Sequence, residues 1–243
     1  MSRSSCHLNE DSFFPHVEEV TIALVKRFGR PTLGNKKNPF NELLYIILSS
    51  RTAPSNYQDT YRSLRRRFSR AGTLAEASPG EVAEAIEHGG LQDKKARAIT
   101  AIASELKRTF GRVTLAPLRG TQTDEAEEFL LSLPGVSTKT ARCVLMYALE
   151  RPTFPVDVHC YRVCKRLGWL PSNAGPSQRR ADQLQAGVPA RLRRDLHVGM
   201  VLLSRRYCRP KTPDCASCPI AEFCPTPKDW NSDSSVRPGG QRR

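Results

Sequence analysis

Apolar residues recur at helical spacing along almost the whole chain of 243 residues, and that periodicity decides the fold class. Segments 20–28, 38–50, 56–68, 79–87, 94–110 and 124–133 carry it, as do 138–149, 158–167, 179–184 and 192–203. Gly89-Gly90, Pro134-Gly135, Gly168 and Ala174-Gly175-Pro176 punctuate the pattern. A short β-branched run at 113–115 is the one plausible extended piece, so the predicted fold class is all-α. The connections are short, as expected of helices packed as neighbours. No long-period repeat is visible. Residues 226–243 are rich in Pro, Ser, Gly and Arg and are expected to form a disordered basic tail.

Hydrophobic residues make up 39% and charged residues 26%, which is ordinary for a globular protein and too apolar for a disordered one. No apolar run approaches the ~18 residues of a membrane-spanning helix, so a membrane protein is excluded. The first stretch reads as neither a secretory nor a transit leader, and the expectation is a cytoplasmic protein, associated with the nucleoid if bacterial. Thirty-eight Lys and Arg against 24 Asp and Glu leave a net charge of +14, which makes a polyanion partner plausible.

Four of the eight cysteines, Cys208, Cys215, Cys218 and Cys224, fall within 17 residues, spaced C-x6-C-x2-C-x5-C. In a reducing compartment such a cluster reads as a metal site rather than a disulfide framework. Four thiolates suit tetrahedral zinc or an iron–sulfur cluster. Zinc ribbons usually carry two C-x2-C pairs, and the single pair here leans towards iron–sulfur. Cys143, Cys160 and Cys164 sit among apolar neighbours and read as small core residues.

The stretch DEAEEFLLSLPGVSTKTARCVLMYAL (124–149) is the most informative. One amphipathic helix ends at Leu133, a Pro134-Gly135-Val136-Ser137 turn follows, and a second helix lays Ala141, Val144, Leu145 and Ala148 on the core. Ser137 is a natural N-cap, and the turn's outward N–H groups suit one phosphate. Lys139 falls in the first turn of the second helix, where the positive end of the dipole disfavours a cation and favours the neutral amine that a nucleophile needs. A carboxylate partner follows at Asp157, at the head of a helix that stops at Gly168 and held rigidly by its cap position. His159 and His197 read as hydrogen-bonded interior histidines, and 65–67 as a solvated basic face.

LPGVSTKTARCVL, then PVDVHCYRVCKRLGW, then the cysteine spacing, in that order, resemble the endonuclease III family, DNA glycosylases of the helix-hairpin-helix, Gly/Pro-rich, Asp superfamily. The resemblance runs from Asn38 to Cys224. It implies a bilobal all-α fold. Residues 33–143 form a six-helix barrel lobe containing the hairpin. Residues 1–32 and 144–225 form a discontinuous lobe holding a [4Fe-4S] cluster. It also implies that Lys139 is the nucleophile, Asp157 the essential aspartate, and Cys208, Cys215, Cys218 and Cys224 the cluster ligands. Leu91 and Gln92, in GGLQDKKA, match the loop that wedges into the DNA stack. Arg51, in LSSRTA, stands where the family usually has the glutamine that fills the gap left by a flipped base. Gly135 and Ser137 of the hairpin, and Arg209 and Lys211 of the cluster loop, are expected to meet phosphates. Arg142, Arg162 and Lys165 are further phosphate candidates. Ser137 replaces the hairpin's usual second glycine, and Arg51-Thr52-Ala53-Pro54 departs from the usual Gln-Ala-Thr-Asp.

The implied activity is excision of damaged, oxidised pyrimidines from duplex DNA by a monomer, through a lysine Schiff base and β-elimination. Two other readings stand beside it. One is a non-catalytic DNA-binding protein that keeps the fold and cluster. The other is a glycosylase/AP lyase for a mismatched, alkylated or methylated base, or for abasic sites alone.

Overall fold

The structure, a computed structural model, describes residues 13–226 apart from the side chains at 54 and 55. Cys6 and the predicted tail beyond residue 226 lie outside the described residues. Among the described residues there is no strand, and the chain divides into two units, Thr32–Pro155 and the pair of segments Met1–Pro31 and Val156–Arg243.

The Thr32–Pro155 unit holds six α-helices among its described residues: α2 (Pro39–Ser49), α3 (Pro54–Arg67), α4 (Pro79–Ala85), α5 (Gln92–Phe110), α6 (Thr123–Ser132) and α7 (Thr138–Tyr147). Their starts are written locally. Asn38 accepts from the Asn41 N–H at 3.0 Å with Pro39 at the first helical position, and Ser78 and Glu81 close a reciprocal capping box. In α5, Ala96, Ile99, Ala103 and Leu106 form the apolar stripe that helical spacing predicts, and each is fully buried. They join Leu44, Leu64, Leu130 and Val144 in one core. The run at 113–115 finds no ladder partner; Val113 and Leu115 instead insert into that core. Helix α7 packs on α2 and α6, so it stays with this unit, which extends to Pro155 rather than ending after residue 143.

The other unit contains α1 (Val17–Phe28), α8 (Val158–Arg166), α9 (Gln178–Ala186) and α10 (Arg193–Arg206). Helix α10 lies against both α1 and α8. It meets α1 so closely that a Cβ at Gly199 would stand 2.7 Å from the Leu24 Cβ, which only glycine avoids. As the sequence predicts, Cys160, Cys164 and His197 are interior, and Cys160 Sγ lies 3.3 Å from His197 Nδ1. No described helix is long and apolar enough to cross a membrane.

Candidate functional site

The hairpin between α6 and α7 is a tight turn in which the Val136 N–H donates to Leu133 O at 3.2 Å. Gly135 sits at φ +74°, a left-handed conformation that costs a side-chain-bearing residue roughly 1–2 kcal/mol. Ser137, by contrast, has extended backbone (φ −93°, ψ 164°), so a Cβ is at home there. Its hydroxyl accepts from the Thr140 N–H at 3.4 Å and caps α7 as predicted. A serine at this position therefore leaves the turn intact and adds a cap.

Lys139 is the second residue of α7 and is half-buried. Helix α2 packs against α7 and carries Glu42, a fully buried carboxylate that accepts from Asn35 Nδ2 at 2.5 Å and from the Lys36 N–H at 2.6 Å. Burial pushes the Glu42 carboxyl up, while those two hydrogen bonds and the charges of Lys36 and Lys139 pull it back. The amine thus has a buried carboxylate within electrostatic reach inside its own unit. Sequence reasoning missed Glu42, although a lone charge in a helix made mostly of apolar residues was a signal for it.

Three exposed residues of the same unit have left-handed backbones without being glycine: Arg51 (φ 53°), in the turn after α2, Leu91 (φ 54°), just before α5, and Glu150 (φ 56°), after α7. Leu91 leaves 49% of its surface exposed, and Gln92 beside it opens α5. Of the phosphate candidates, Arg142 is corrected. It is 4% exposed and its Nε donates to Glu127 Oε1 at 2.8 Å, an interior ion pair with no guanidinium to offer a phosphate.

In the other unit, Asp157 is the N-cap of α8. Its Oδ1 accepts from the His159 N–H at 2.9 Å and the Cys160 N–H at 2.8 Å, so the carboxylate is fixed by two backbone donors at the helix's positive end. Cys208, Cys215, Cys218 and Cys224 all carry free thiols and line a single pocket, walled by Val163, Leu203 and Ile220. Burial and the neighbouring sulfurs push the Cys218 thiol up to about 11, and Cys215 rises for the same reasons. Binding a metal there would therefore release protons. Among the described residues no three His, Cys, Asp or Glu side chains converge on a single-ion site. Arg166 stitches the cysteine loop: its guanidinium donates to Cys208 Sγ at 3.1 Å, Arg209 O at 2.9 Å and Pro210 O at 3.1 Å. Arg162 Nε adds a bond to Cys208 O at 2.9 Å, so this side chain braces the loop. Arg209 and Lys211 stand exposed on the loop, Arg209 Nε donating to Thr212 O at 3.0 Å.

Residues 44–187, which include the hairpin, Lys139 and Asp157, match the family model described as HhH-GPD superfamily base excision DNA repair protein. The chain belongs to that superfamily. Among relatives of the HhH-GPD chain, endonuclease III of Thermotoga maritima is 32% identical over 86% of this chain and 92% of its own length. The DNA glycosylase/AP lyase ROS1 of Arabidopsis thaliana is 30% identical over 59% of this chain and 12% of its own length. A solved non-covalent endonuclease III–DNA complex superimposes with a TM-score of 0.74 at 24% identity, covering 86% of this chain and 94% of that one. The all-α fold of this HhH-GPD protein is therefore the endonuclease III fold.

Proposed function

We propose that this chain is a bifunctional DNA glycosylase/AP lyase that excises damaged bases, oxidised pyrimidines foremost, from duplex DNA. The observation that carries the reading is Lys139, an amine in the first turn of α7 directly after a capped hairpin turn, on the scaffold of a base excision repair superfamily. Relatives named endonuclease III and DNA glycosylase/AP lyase support it. A polyanion partner also agrees with the net charge of +14.

The chemistry follows from the residue types. A base must leave the stack before any side chain reaches its sugar, and unstacking costs a few kcal/mol, least where the lesion pairs badly. In this reading Leu91, Gln92 and Arg51 enter the duplex, while the Gly135–Ser137 turn, Arg209 and Lys211 hold its phosphates. Asp157 stabilises positive charge growing on the sugar and accepts a proton from Lys139. The Lys139 nitrogen then bonds to C1′ as the C1′–base bond breaks and the base departs with its electron pair. Ring opening gives a Schiff base, whose adjacent C2′ proton is acidic. Removal of that proton expels the 3′ phosphate by β-elimination. Cys208, Cys215, Cys218 and Cys224 would hold a [4Fe-4S] cluster, an all-sulfur donor set that suits it, whose contribution is to pin the loop bearing Arg209 and Lys211. The protein would act as a monomer, wherever the cell keeps its DNA.

Borohydride trapping tests this reading. Duplex DNA carrying thymine glycol or an abasic site, incubated with the protein and then reduced, should yield a covalent adduct that is absent with Lys139→Ala. No adduct on any lesion would leave the non-catalytic DNA-binding reading in its place.

A further inference from the structure

Lys95 is buried, 5% exposed, on the apolar face of α5, four residues before Ile99. Its ammonium has three donors and uses all of them: Leu48 O at 2.9 Å, Gly89 O at 2.8 Å and Thr52 Oγ1 at 2.7 Å. The Thr52 hydroxyl in turn donates to Gly89 O at 2.5 Å, closing the set. Leu48 lies in the last turn of α2, whose end carbonyls lack helical partners and carry the negative end of the dipole, so a cation is favoured there. Gly89 ends the 3-10 turn Glu87–Gly89.

These acceptors bracket two of the unit's three strained positions. Arg51 lies between Leu48 and Thr52; Leu91 lies between Gly89 and Lys95 itself. Left-handed backbone at non-glycine residues costs of order 1–3 kcal/mol and persists only where the surroundings over-determine it. An apolar side chain in place of Lys95 would remove the donor to Leu48 O and leave Gly89 O with the Thr52 hydroxyl alone.

We propose that Lys95 is a positioning residue that locks the Arg51 turn and the Leu91 turn to each other, so that plug and wedge enter the duplex as one rigid pair. This inference rests on the reading of Arg51 and Leu91 as the residues that enter DNA. It gives Lys95 a role in evicting the base and none in the lysine chemistry at the sugar.

The test compares two substrates in the borohydride assay: thymine glycol in duplex, where a base must be evicted, and an abasic site in single-stranded DNA, where none must. For Lys95→Met, the trapping rate is expected to fall about tenfold more on the duplex than on the single strand, as losing one charged hydrogen bond at the insertion step would give. The double variant Lys95→Met/Leu91→Ala should be no slower on duplex than Leu91→Ala alone, because both act on the same event. If Lys95→Met does not fold, Thr52→Val removes one arm of the lock and should show the same substrate split at smaller amplitude. Equal losses on both substrates, or losses that multiply in the double variant, would overturn the proposal and leave Lys95 a stability residue. Absence of trapping by the wild-type protein on either substrate would overturn the glycosylase reading itself, and this inference with it.

Discussion

The guanidinium of Arg166 donates a hydrogen bond to the Cys208 sulfur at 3.1 Å, while the backbone carbonyl of Arg166 accepts from Cys224 Sγ at 3.2 Å. One residue at the end of α8 thus touches the first and the last of the four clustered cysteines. Arg166→Met removes three guanidinium bonds and keeps the carbonyl. Since hydrogen bonds to charged groups are worth about 1.5–3 kcal/mol, the variant should give up the proposed [4Fe-4S] cluster to a chelator roughly tenfold faster than wild type. Loss of the visible absorption that the proposed cluster would give reads this directly, and equal rates would show that Arg166 plays no part in holding the site.

Asp157 does two separable things. Its carboxylate caps α8 through two backbone N–H groups, and it is the proposed partner of the lysine. Asparagine caps as well as aspartate does, whereas alanine forfeits about 1 kcal/mol. Asp157→Asn should therefore melt close to wild type yet give little borohydride adduct, and Asp157→Ala should show both defects. An asparagine variant with wild-type trapping would reduce Asp157 to its cap.

The hairpin variants separate cap from conformation. Ser137→Ala removes the hydroxyl that caps α7 and should cost about 1 kcal/mol, while Ser137→Gly should cost only a few tenths. Gly135→Ala meets no clash, its nearest neighbour being the Ala98 Cβ at 3.6 Å, so its cost of roughly 1–2 kcal/mol comes from the left-handed backbone alone. Urea midpoints rank the three. A Ser137→Gly variant weaker than Ser137→Ala would contradict the cap.

How much of this could be read from the sequence depends on how local each signal is. The stripe of Ala96, Ile99, Ala103 and Leu106, the Ser137 cap and the Asp157 cap each involve residues within a few positions of one another, and periodicity and capping rules reach that far. Lys95 was not legible. In Gln92-Asp93-Lys94-Lys95 it looks like a solvated charge, and its partner Leu48 O is 47 residues away. Its register with Ile99, Ile102 and Leu106 was the available clue. Arg142 failed in the opposite direction: it was read as a phosphate contact because nothing local reveals Glu127 folding back onto it from α6.

Glu42 sets a pH dependence whose sign is fixed. Burial raises its carboxyl above the ordinary 4.5, so the folded chain holds that proton more tightly than the unfolded chain does. Its contribution is complete below pH 4.5 and is lost as the pH rises through the folded value. Relative to Glu42→Gln, which cannot titrate, the wild type should lose stability as the pH rises above 4.5. Urea midpoints of both proteins across that range check it, and a constant difference would contradict it.

Helix α1 comes from the beginning of the chain and its packing partner α10 from near the end; Arg27 Nε reaches the Tyr207 hydroxyl across 180 residues of sequence. On a ribosome adding about 5–20 residues per second, α1 waits on the order of 10–35 s before α10 is made. All of Thr32–Pro155 emerges within that interval and can fold around its own core. Val20 and Leu24, with no exposed surface in the finished protein, meanwhile stay bare. The nascent chain therefore carries a sticky helix early in its sequence, to be covered only after all of Thr32–Pro155 has been made.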